Sequence, residues 1–344
     1  MRPSAVRWAW LFVAPMLLVM FAVAAWPLAR TAANSLTDAT LTTGGRFVGL
    51  ANYLAWSPDP ETWDGKLGGY VLTDEAAGRI LLYRPATDAF SDLDSGQAVP
   101  VANRAAFFGW QGLLARAAWW RAVFNTVVIA VVAVSLETAL GLLVALVLDS
   151  AIRGRDLVRA AVLVPWAIPT VVSAQMWAWM LNDLYGVLNA GLIHLGLISQ
   201  GIAWTATPGL SLAAIIAVDT WKTTPFMALL SLAALQLVPD EVKEAARVDG
   251  VGRIGMLVRI ILPIIRPALL IAVAFRAIDA LRIFDLIYVL AGNSPGSASM
   301  SVFARQQLID FGKQGYGSAA SICLVLVVGT FAAMVLALNR GRAQ

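Results

Sequence analysis

Two long apolar stretches of the sequence carry charged residues at regular spacing. In the first, residues 210–237, Asp219 and Lys222 are three positions apart, so a helix would place them on one face, which Thr223 and Phe226 continue. In the second, residues 267–290, charges of alternating sign recur at every third position: Arg276, Asp279, Arg282 and Asp285. Such charges can exchange hydrogen bonds with hydroxyl groups, and an aromatic ring can stack on the apolar face of a sugar. Together they predict a site for a polyhydroxylated solute.

The same charges have a second interpretation, in which they only neutralise each other between helices. An ionisable group at membrane depth costs about 2.5 to 3.5 kcal/mol on insertion scales, so each must face a partner or a cavity. Contacts between helices are usually made by Ser, Thr and small residues, which favours a cavity for the group as a whole. Glu137 is isolated in another apolar stretch, and for it a structural partner is the preferred interpretation. Pro165, Pro169 and Pro225 predict bends near such a cavity.

The elements that position these residues are predicted to be membrane-spanning helices. Hydrophobic residues make up 59% of the chain and charged residues 13%, with a mean hydropathy of +0.74, which lies outside the range of soluble domains. Crossing the hydrocarbon core takes about 20 apolar residues in a helix. Six stretches meet this requirement: residues 8–28, 123–148, 160–181, 210–237, 267–290 and 318–338. The sequence therefore predicts an all-α integral membrane protein with six transmembrane helices.

Positive charges indicate the orientation of the spans, because short cytoplasmic loops retain Lys and Arg. One side of the predicted topology collects twelve of them: Arg2, Arg7, Arg153, Arg155, Arg159, Lys243, Arg247, Arg253, Arg259, Arg266, Arg340 and Arg342. The short loops on the opposite side have only Arg305 and Lys313. Both termini are therefore predicted to be cytoplasmic. This distribution along the membrane edges also explains the net charge of +4 without nucleic acid binding.

Domain boundaries follow from the same pattern. Residues 1–30 are predicted to form a cytoplasmic N-terminus and the first span, residues 31–121 an extracytoplasmic segment, and residues 122–344 the membrane core. Within the second part, the insertion 57–111 has eight acidic residues against four basic ones. Its β-prone runs 70–73 and 79–84 predict a small β-hairpin. The insertion is either an ordered loop without a function or a docking surface for a soluble partner.

Several kinds of chemistry are excluded by composition. The chain has one cysteine, Cys323, and one histidine, His194, so neither a disulfide framework nor a clustered His/Cys metal site can be assembled. The sequence does not contain the Gly-x-x-x-x-Gly-Lys-Ser/Thr pattern of a phosphate-binding loop. Any nucleotide hydrolysis must therefore be supplied by another polypeptide.

The segment between the fourth and fifth spans predicts a short exposed helix that ends in a turn. Proline is tolerated in the first turn of a helix and acidic side chains favour its positive end, so Pro239 and Asp240 suit a helix start. Gly250 permits a left-handed stop, and Pro263 is expected to begin the next helix. The segment, residues 239–266, carries a spaced pattern: Glu244-Ala245-Ala246, three residues, Gly250, nine residues, then Ile260-x-Leu262-Pro263.

This pattern resembles the signature loop, or EAA motif, of permease subunits in binding-protein-dependent ABC importers. Residues 47–53, 221–226 and 284–292 are similar to the carbohydrate branch, most closely the maltose and trehalose permeases. The resemblance implies a multi-pass protein of the bacterial inner membrane that contacts a sugar and is not an enzyme. The implied sugar-contacting residues are Asp219, Lys222, Thr223, Phe226, Arg276, Asp279, Ala280 and Ile283. The implied ATPase-coupling residues are Glu244, Ala245, Ala246, Asp249, Gly250, Leu262 and Pro263.

The resemblance also implies the partners and the energy source. The partners are a second permease subunit in a heterodimer, two ATPase subunits, an extracytoplasmic solute-binding protein, the sugar and membrane lipid. The chain is expected to bind no cofactor itself, because ATP and Mg²⁺ belong to the ATPase subunits. A polyol, a glycerol phosphate ester or a compatible solute is the alternative cargo. A secondary carrier that uses the charges as a relay is the alternative mechanism, against which the signature loop argues.

Overall fold

A computed structural model describes residues 3–101, 104–150, 154–207, 209–292, 294 and 296–340. Arg2, Arg153 and Arg342, which enter the charge comparison above, lie outside these residues. The chain divides into two compact units. We call Met1–Trp120 with Ala304–Cys323 the sheet-containing unit, and Arg121–Phe303 with Leu324–Gln344 the helical unit.

One long helical segment opens the sheet-containing unit. Helix α1 (Pro3–Met20) continues through a π-helical turn (Phe21–Ala25) into α2 (Trp26–Ser35). Two side chains of the run 47–53 cap its end. The amide of Asn52 donates to the carbonyl oxygens of Ser35 and Thr37, at 2.8 and 2.7 Å, and the Tyr53 hydroxyl donates to the Ser35 hydroxyl at 2.8 Å. The two Asn52 bonds satisfy carbonyl groups at and just after the helix end, which helical hydrogen bonds leave unpaired.

Short antiparallel strands follow the first helix: β1 (Ala55–Ser57), β2 (Trp63–Asp64), β3 (Gly69–Asp74), β4 (Arg79–Arg84), β5 (Ala89–Asp92) and β6 (Gly109–Gln111). Strands β2 to β5 form a four-stranded sheet in sequential order, and β1 pairs with β6 in a separate ribbon. The β-prone runs 70–73 and 79–84 lie in the paired strands β3 and β4. The inserted segment is thus a small sheet, larger than the predicted hairpin.

One face of the four-stranded sheet forms a core of its own. Leu72 is opposite Leu81, and Tyr83 is opposite Phe90, in neighbouring strands. Residues directly opposite each other lie on the same face of a sheet, so these four side chains form one apolar cluster. Phe107 and Phe108 pack against it. The insertion therefore has the apolar contacts that keep a small sheet ordered.

Tight turns follow β2 to β5. In three of them an Asp carboxylate accepts a backbone N–H, and a glycine of positive φ follows four residues later: Asp64 with Gly68, Asp74 with Gly78, and Asp92 with Gly96. The turn after β4 has Asp88 at positive φ instead of glycine. Hydrogen bonds from Arg104 and from the Tyr83 hydroxyl, at 2.8 and 3.0 Å, hold the pKa of Asp88 below its usual value.

From Ala117 onward, the regular secondary structure of the described residues is helical. The helices are α3 (Ala117–Asp149), α4 (Arg155–Ala167), α5 (Thr170–Met180), α6 (Val187–His194), α7 (Leu210–Leu235), α8 (Asp240–Val248), α9 (Arg253–Met256), α10 (Leu262–Leu281), α11 (Asp285–Ala291), α12 (Met300–Arg305) and α13 (Gln314–Arg340). A π-helical turn, Leu257–Ile261, joins α9 to α10, and another, Gln306–Asp310, follows α12.

Within the described residues, four helical segments are long and apolar enough to cross a membrane, and six spans result if each of two bent pairs counts as one. The four are Phe12–Ser35, Ala117–Asp149, Arg253–Leu281 and Gln314–Ala337; the bent pairs are α4 with α5 and α7 with α8. Helix α7 has 26 residues, so it extends for about 39 Å, enough to span the hydrocarbon core alone.

Two predicted spans are interrupted. The third, 160–181, bends beside Pro169, as expected, because α4 and α5 meet at 86°. Ile168 is extended there, with ψ of 132°, as expected for a residue that precedes proline. The fifth, 267–290, is broken at residues 282–284 between α10 and α11. Arg282 and Asp285 lie at the break, and Arg276 and Asp279 lie in the last two turns of α10 before it. A hydropathy average does not reveal such a break.

Two of the apolar clusters among the described residues hold α7 against its neighbours in the helical unit. Ile129 of α3, Ala174 of α5, Ile215 of α7 and Leu286 of α11 belong to the first. In the second, α3 and α7 pack against the start of α10. These contacts fix the breaks in α4–α5 and α10–α11 relative to α7.

Gly141 marks the closest approach of α3 to α7, since a Cβ added there would lie 2.8 Å from the Met227 Cβ. We expect Gly141→Val to lower the free energy of unfolding by about 1–3 kcal/mol through overpacking. Gly329→Val on α13 is the matched control, because nothing lies within 4 Å of a Cβ added at that glycine. Thermal unfolding of the full chain in detergent compares the two variants. Equal shifts would contradict the tight α3–α7 contact.

Candidate functional site

The two helix breaks meet at one cavity of about 590 Å³. Residues 166–170, where α4 gives way to α5, and residues 282–286, where α10 gives way to α11, line it together with polar residues of α7 and α10. Helix ends leave backbone N–H and C=O groups without helical partners. Irregular backbone at membrane depth is tolerated where it lines a cavity, so this cavity can offer backbone groups as well as side chains to a solute.

Most residues predicted to contact a solute lie at this cavity: Asp219, Lys222, Thr223, Arg276, Asp279 and Ile283. Phe226 lies behind its wall, where it stacks on the cavity-lining Trp166 with 5.8 Å between ring centroids. Ala280, which was also predicted to contact the solute, does not line this cavity. It is fully buried against Ala130 and Val134 of α3, because one residue beyond Asp279 turns the helix by about 100°.

Arg276 is the centre of a buried ionic cluster. Its Nε and Nη2 donate to the two oxygens of Glu137, at 2.8 and 2.9 Å. The same Nη2 donates to Asp219 at 2.6 Å. All three side chains are at most 8% exposed. Buried charges are tolerated when they are paired and hydrogen-bonded, so the expectation of a structural partner for Glu137 is met by Arg276, and the carboxylate of Asp219 is engaged by the protein itself.

Asp279 and Arg282 are the accessible charges of the cavity, with side chains 54% and 66% exposed. The Asp279 carboxylate accepts bonds from Arg276 Nη1 at 3.5 Å and from Arg282 Nη2 at 3.4 Å. These long contacts leave hydrogen-bonding capacity for a solute. Asp285, in the first turn of α11, is also exposed and lines the cavity. Accessible acceptors and donors therefore alternate along the second break.

Lys222 has a structural contact that the sequence did not predict. Its Nζ donates to the carbonyl oxygen of Ile168 at 2.6 Å, at the end of α4. A cation at a helix C-terminus binds the unpaired carbonyl groups and favours the negative end of the dipole. The bend between α4 and α5 is thus tied to α7. Thr223 makes a weak contact, 3.5 Å from its hydroxyl to Asp219.

Trp166 contributes an aromatic ring to the wall of the cavity, and two further rings pack behind it. Trp166 is 48% exposed and stacks on Phe226, and Phe226 in turn packs against Phe275 with 6.0 Å between centroids. Sequence reasoning identified the ring of Phe226 but missed Trp166, which is the ring at the cavity. The one available signal was that Trp166 precedes the helix-breaking Pro169 by three positions.

The segment of the predicted coupling loop forms a second exposed site. Helix α8 begins after Pro239 with acidic residues in its first turn. It ends with Gly250 at positive φ, where the N–H of Val251 donates to the carbonyl of Ala246 at 3.0 Å, as in a Schellman stop. Ala246 is buried, whereas Glu244, Ala245, Asp249 and Gly250 are exposed. The helix therefore has one buried and one exposed face.

Pro263 lies in the first turn of α10, where the next helix was expected to begin. The backbone is nevertheless already helical from Arg253 and reaches Pro263 through the π-helical turn Leu257–Ile261. Pro263 has no N–H to donate to the carbonyl four residues back. The wider turn, in which the N–H of Leu262 donates to Leu257, accommodates this gap. Leu262 itself packs in the second apolar cluster of the helical unit.

Residues 113–343 match the family model described as "Binding-protein-dependent transport system inner membrane component". The chain belongs to this family. It is thus a multi-pass permease subunit of the inner membrane and not an enzyme. Among the residues that the structure describes, no three His, Cys, Asp or Glu side chains are grouped as a metal site requires.

Curated relatives support this family assignment. The trehalose/maltose transport system permease protein MalF of Thermococcus litoralis is 44% identical over 225 residues, which are 65% of this chain and 76% of the relative. The trehalose transport system permease protein SugA of Mycobacterium tuberculosis is 39% identical over 235 residues, 67% and 74% of the two chains. The sulfoquinovosyl glycerol transport system permease protein SmoG of Agrobacterium fabrum is 36% identical over 208 residues, 60% and 67% of the two chains.

A solved structure shares the permease fold. It is a crystal structure of a bacterial ABC transporter involved in the import of the acidic polysaccharide alginate. The TM-score is 0.61 at 23% sequence identity, and the match covers 68% of this chain and 85% of the other. At this level of identity the likeness concerns the fold.

Proposed function

We propose that this permease subunit contacts a sugar, with a disaccharide such as trehalose or maltose as its cargo, in an importer driven by ATP. The observation that carries the proposal is the cavity at the two helix breaks. It combines the accessible Asp279 and Arg282 with the exposed ring of Trp166, which are the groups that bind the hydroxyls and the apolar face of a sugar. The names of the relatives MalF and SugA point to the same cargo.

The proposed solute site differs from the sequence prediction in its details. Asp279, Arg282 and Trp166 are proposed to contact the sugar directly. Asp219, Lys222, Thr223, Arg276 and Ile283 line the cavity and shape it, and Phe226 supports the ring of Trp166. Ala280 is not part of the proposed site, because it does not line the cavity. The name of the relative SmoG refers to a glycoside of glycerol. Other glycosides are therefore the alternative cargo.

The proposed topology has six spans with both termini in the cytoplasm. The bent pair α4–α5 counts as one span, and α7 spans alone, so that α8 lies at the cytoplasmic surface. The sheet of residues 57–111 then lies outside the cytoplasm within the segment 31–121. The most apolar 18-residue window of the first helix, within Phe12–Ser35, has no buried residue. Its apolar side chains suit contact with lipid or with a second permease subunit, which we propose as the partner in a heterodimer.

Coupling to ATP is proposed to run through α8 and the rest of the loop 239–266. Its exposed Glu244 and Ala245 would dock on one of two ATPase subunits, which bind ATP and Mg²⁺. The exposed Val248 and Ile254 nearby, at 87% and 81%, add apolar surface for this contact. An extracytoplasmic solute-binding protein would deliver the sugar to the opposite side.

The test of the cargo is uptake of labelled trehalose and maltose by the complete importer in proteoliposomes. We expect Asp279→Ala to lower uptake at least about tenfold, because it removes acceptors for solute hydroxyls. Assembly and basal ATPase activity should persist, since Asp279 is half-exposed. Asp156→Ala is the control, with a carboxylate that is 97% exposed and outside the cavity.

Two results would count against this proposal. If the wild-type importer takes up neither trehalose nor maltose, the cargo is wrong. If Asp279→Ala and Asp156→Ala take up sugar equally well, the cavity is not the solute site. Uptake by the chain without ATPase subunits would instead indicate a secondary carrier.

A further inference from the structure

Arg276 is paired with more carboxylate groups than are required to neutralise its guanidinium. A single carboxylate would neutralise its guanidinium, and Asp219 already accepts a 2.6 Å bond from Nη2. Glu137 adds a second, bidentate pair at 2.8 and 2.9 Å. Two buried carboxylates thus share one cation. With both carboxylates ionised, the cluster has a formal charge of −1, in surroundings where charges are screened much less than at the surface.

The arrangement leaves one end of the guanidinium for the cavity. Its Nε and Nη2 donate to the buried carboxylates, while Nη1 makes only a long contact of 3.5 Å, to Asp279, within the part of the chain that the structure describes. Arg276 lines the cavity, whereas Glu137 is fully buried behind it. Nη1 can therefore donate to a solute oxygen, although the positive charge that would attract an anion is more than compensated.

The charged residues around the cavity, taken together, also have a net negative formal charge. Three cations face four carboxylates: Lys222, Arg276 and Arg282 against Glu137, Asp219, Asp279 and Asp285. The formal net charge of this set is −1, and it would be zero without Glu137. Glu137 is also the member of the set that does not line the cavity.

We propose that Glu137 is a positioning residue that determines the charge selectivity of the cavity: through Arg276, it makes the cavity accept uncharged polyhydroxylated solutes and exclude anionic ones. The inference rests on the proposed sugar site. It explains why an arginine, which usually binds carboxylate or phosphate, can line a cavity for a neutral sugar. Glu137 holds the guanidinium in place and cancels its attraction for anions.

Glu137→Gln is the decisive variant, because the amide oxygen can still accept a bond from Arg276 while one negative charge is lost. The probes are trehalose and trehalose 6-phosphate, each competing with labelled trehalose for the complete importer in lipid nanodiscs. We expect Glu137→Gln to shift the ratio of the two affinities about tenfold or more towards the phosphate ester, as removal of a poorly screened unit charge would. Glu137→Asp keeps the charge and should keep the wild-type ratio.

A merely structural role for Glu137 gives a different pattern. In that case Glu137→Gln would weaken the binding of trehalose and of trehalose 6-phosphate by the same factor. An unchanged ratio of the two affinities in this variant would overturn the inference. If Glu137→Gln does not accumulate, Asp219→Asn removes the other carboxylate from Arg276 and must shift the ratio in the same direction; an unchanged ratio there overturns the inference as well. If the wild-type importer does not bind trehalose, the result would instead contradict the proposed function, and the inference about selectivity would fail with it.

Discussion

Arg276→Met is expected to prevent stable accumulation of the chain in membranes. The substitution leaves the carboxylates of Glu137 and Asp219 buried and without their cation. Removing one partner of a buried ionic cluster typically costs about 3–5 kcal/mol. That loss is a large fraction of the roughly 5–15 kcal/mol by which proteins are stable. The effect should therefore appear as a loss of folded protein rather than only as a loss of transport.

Membrane yield and thermal unfolding in detergent measure this effect. Arg282→Met is the matched control, because Arg282 lies at the same cavity but its side chain is 66% exposed. Removing the three charges together, in Glu137→Gln, Asp219→Asn, Arg276→Met, should restore much of the stability, since no buried charge is then left unpaired. Equal unfolding temperatures of Arg276→Met and Arg282→Met would show that the buried cluster of Arg276, Glu137 and Asp219 does not stabilise the fold.

The positions of the apolar helices could be predicted from the sequence because each needs a run of about 20 apolar residues. Their breaks could not. Pro169 indicated a bend, but the 86° angle between α4 and α5 depends on what α5 packs against. The break between α10 and α11 has no proline at residues 282–284, and it depends on tertiary contacts. The strands β2 and β5 were missed, although Asp-x-x-x-Gly recurs at Asp64, Asp74 and Asp92 and marks their turns.

The candidate site was predictable where it depends on spacing along one helix. Asp219 and Thr223, or Arg276 and Asp279, are neighbours on a helix face whatever the rest of the chain does. Contacts between helices were not predictable. Glu137 and Arg276 are 139 positions apart, and nothing in one sequence links them. For the same reason Lys222, expected to face the solute, binds the carbonyl of Ile168, which becomes free only because α4 ends there.

Glu244→Lys is expected to abolish co-purification of the ATPase subunits with the chain. Helix α8 exposes Glu244 and Ala245 and buries Ala246, so the acidic side chain belongs to the face left for a partner. Reversing a charge at the centre of a docking surface places a repulsive or unpaired group there, which typically costs several kcal/mol. Transport of the sugar should fail together with docking, whereas the yield and thermal stability of the chain itself should not change.

Asp156→Lys is the control for this experiment, since it makes the same charge reversal at a side chain that is 97% exposed and outside α8. Equal recovery of ATPase with Glu244→Lys and with the wild type would contradict docking through α8, and so would a wild type that recovers none. If Glu244→Lys loses the ATPase while the cavity still binds trehalose, the two sites are separate in function. The sugar site would then depend on residues of the helix breaks, and the energy source on a helix that makes no contact with the solute.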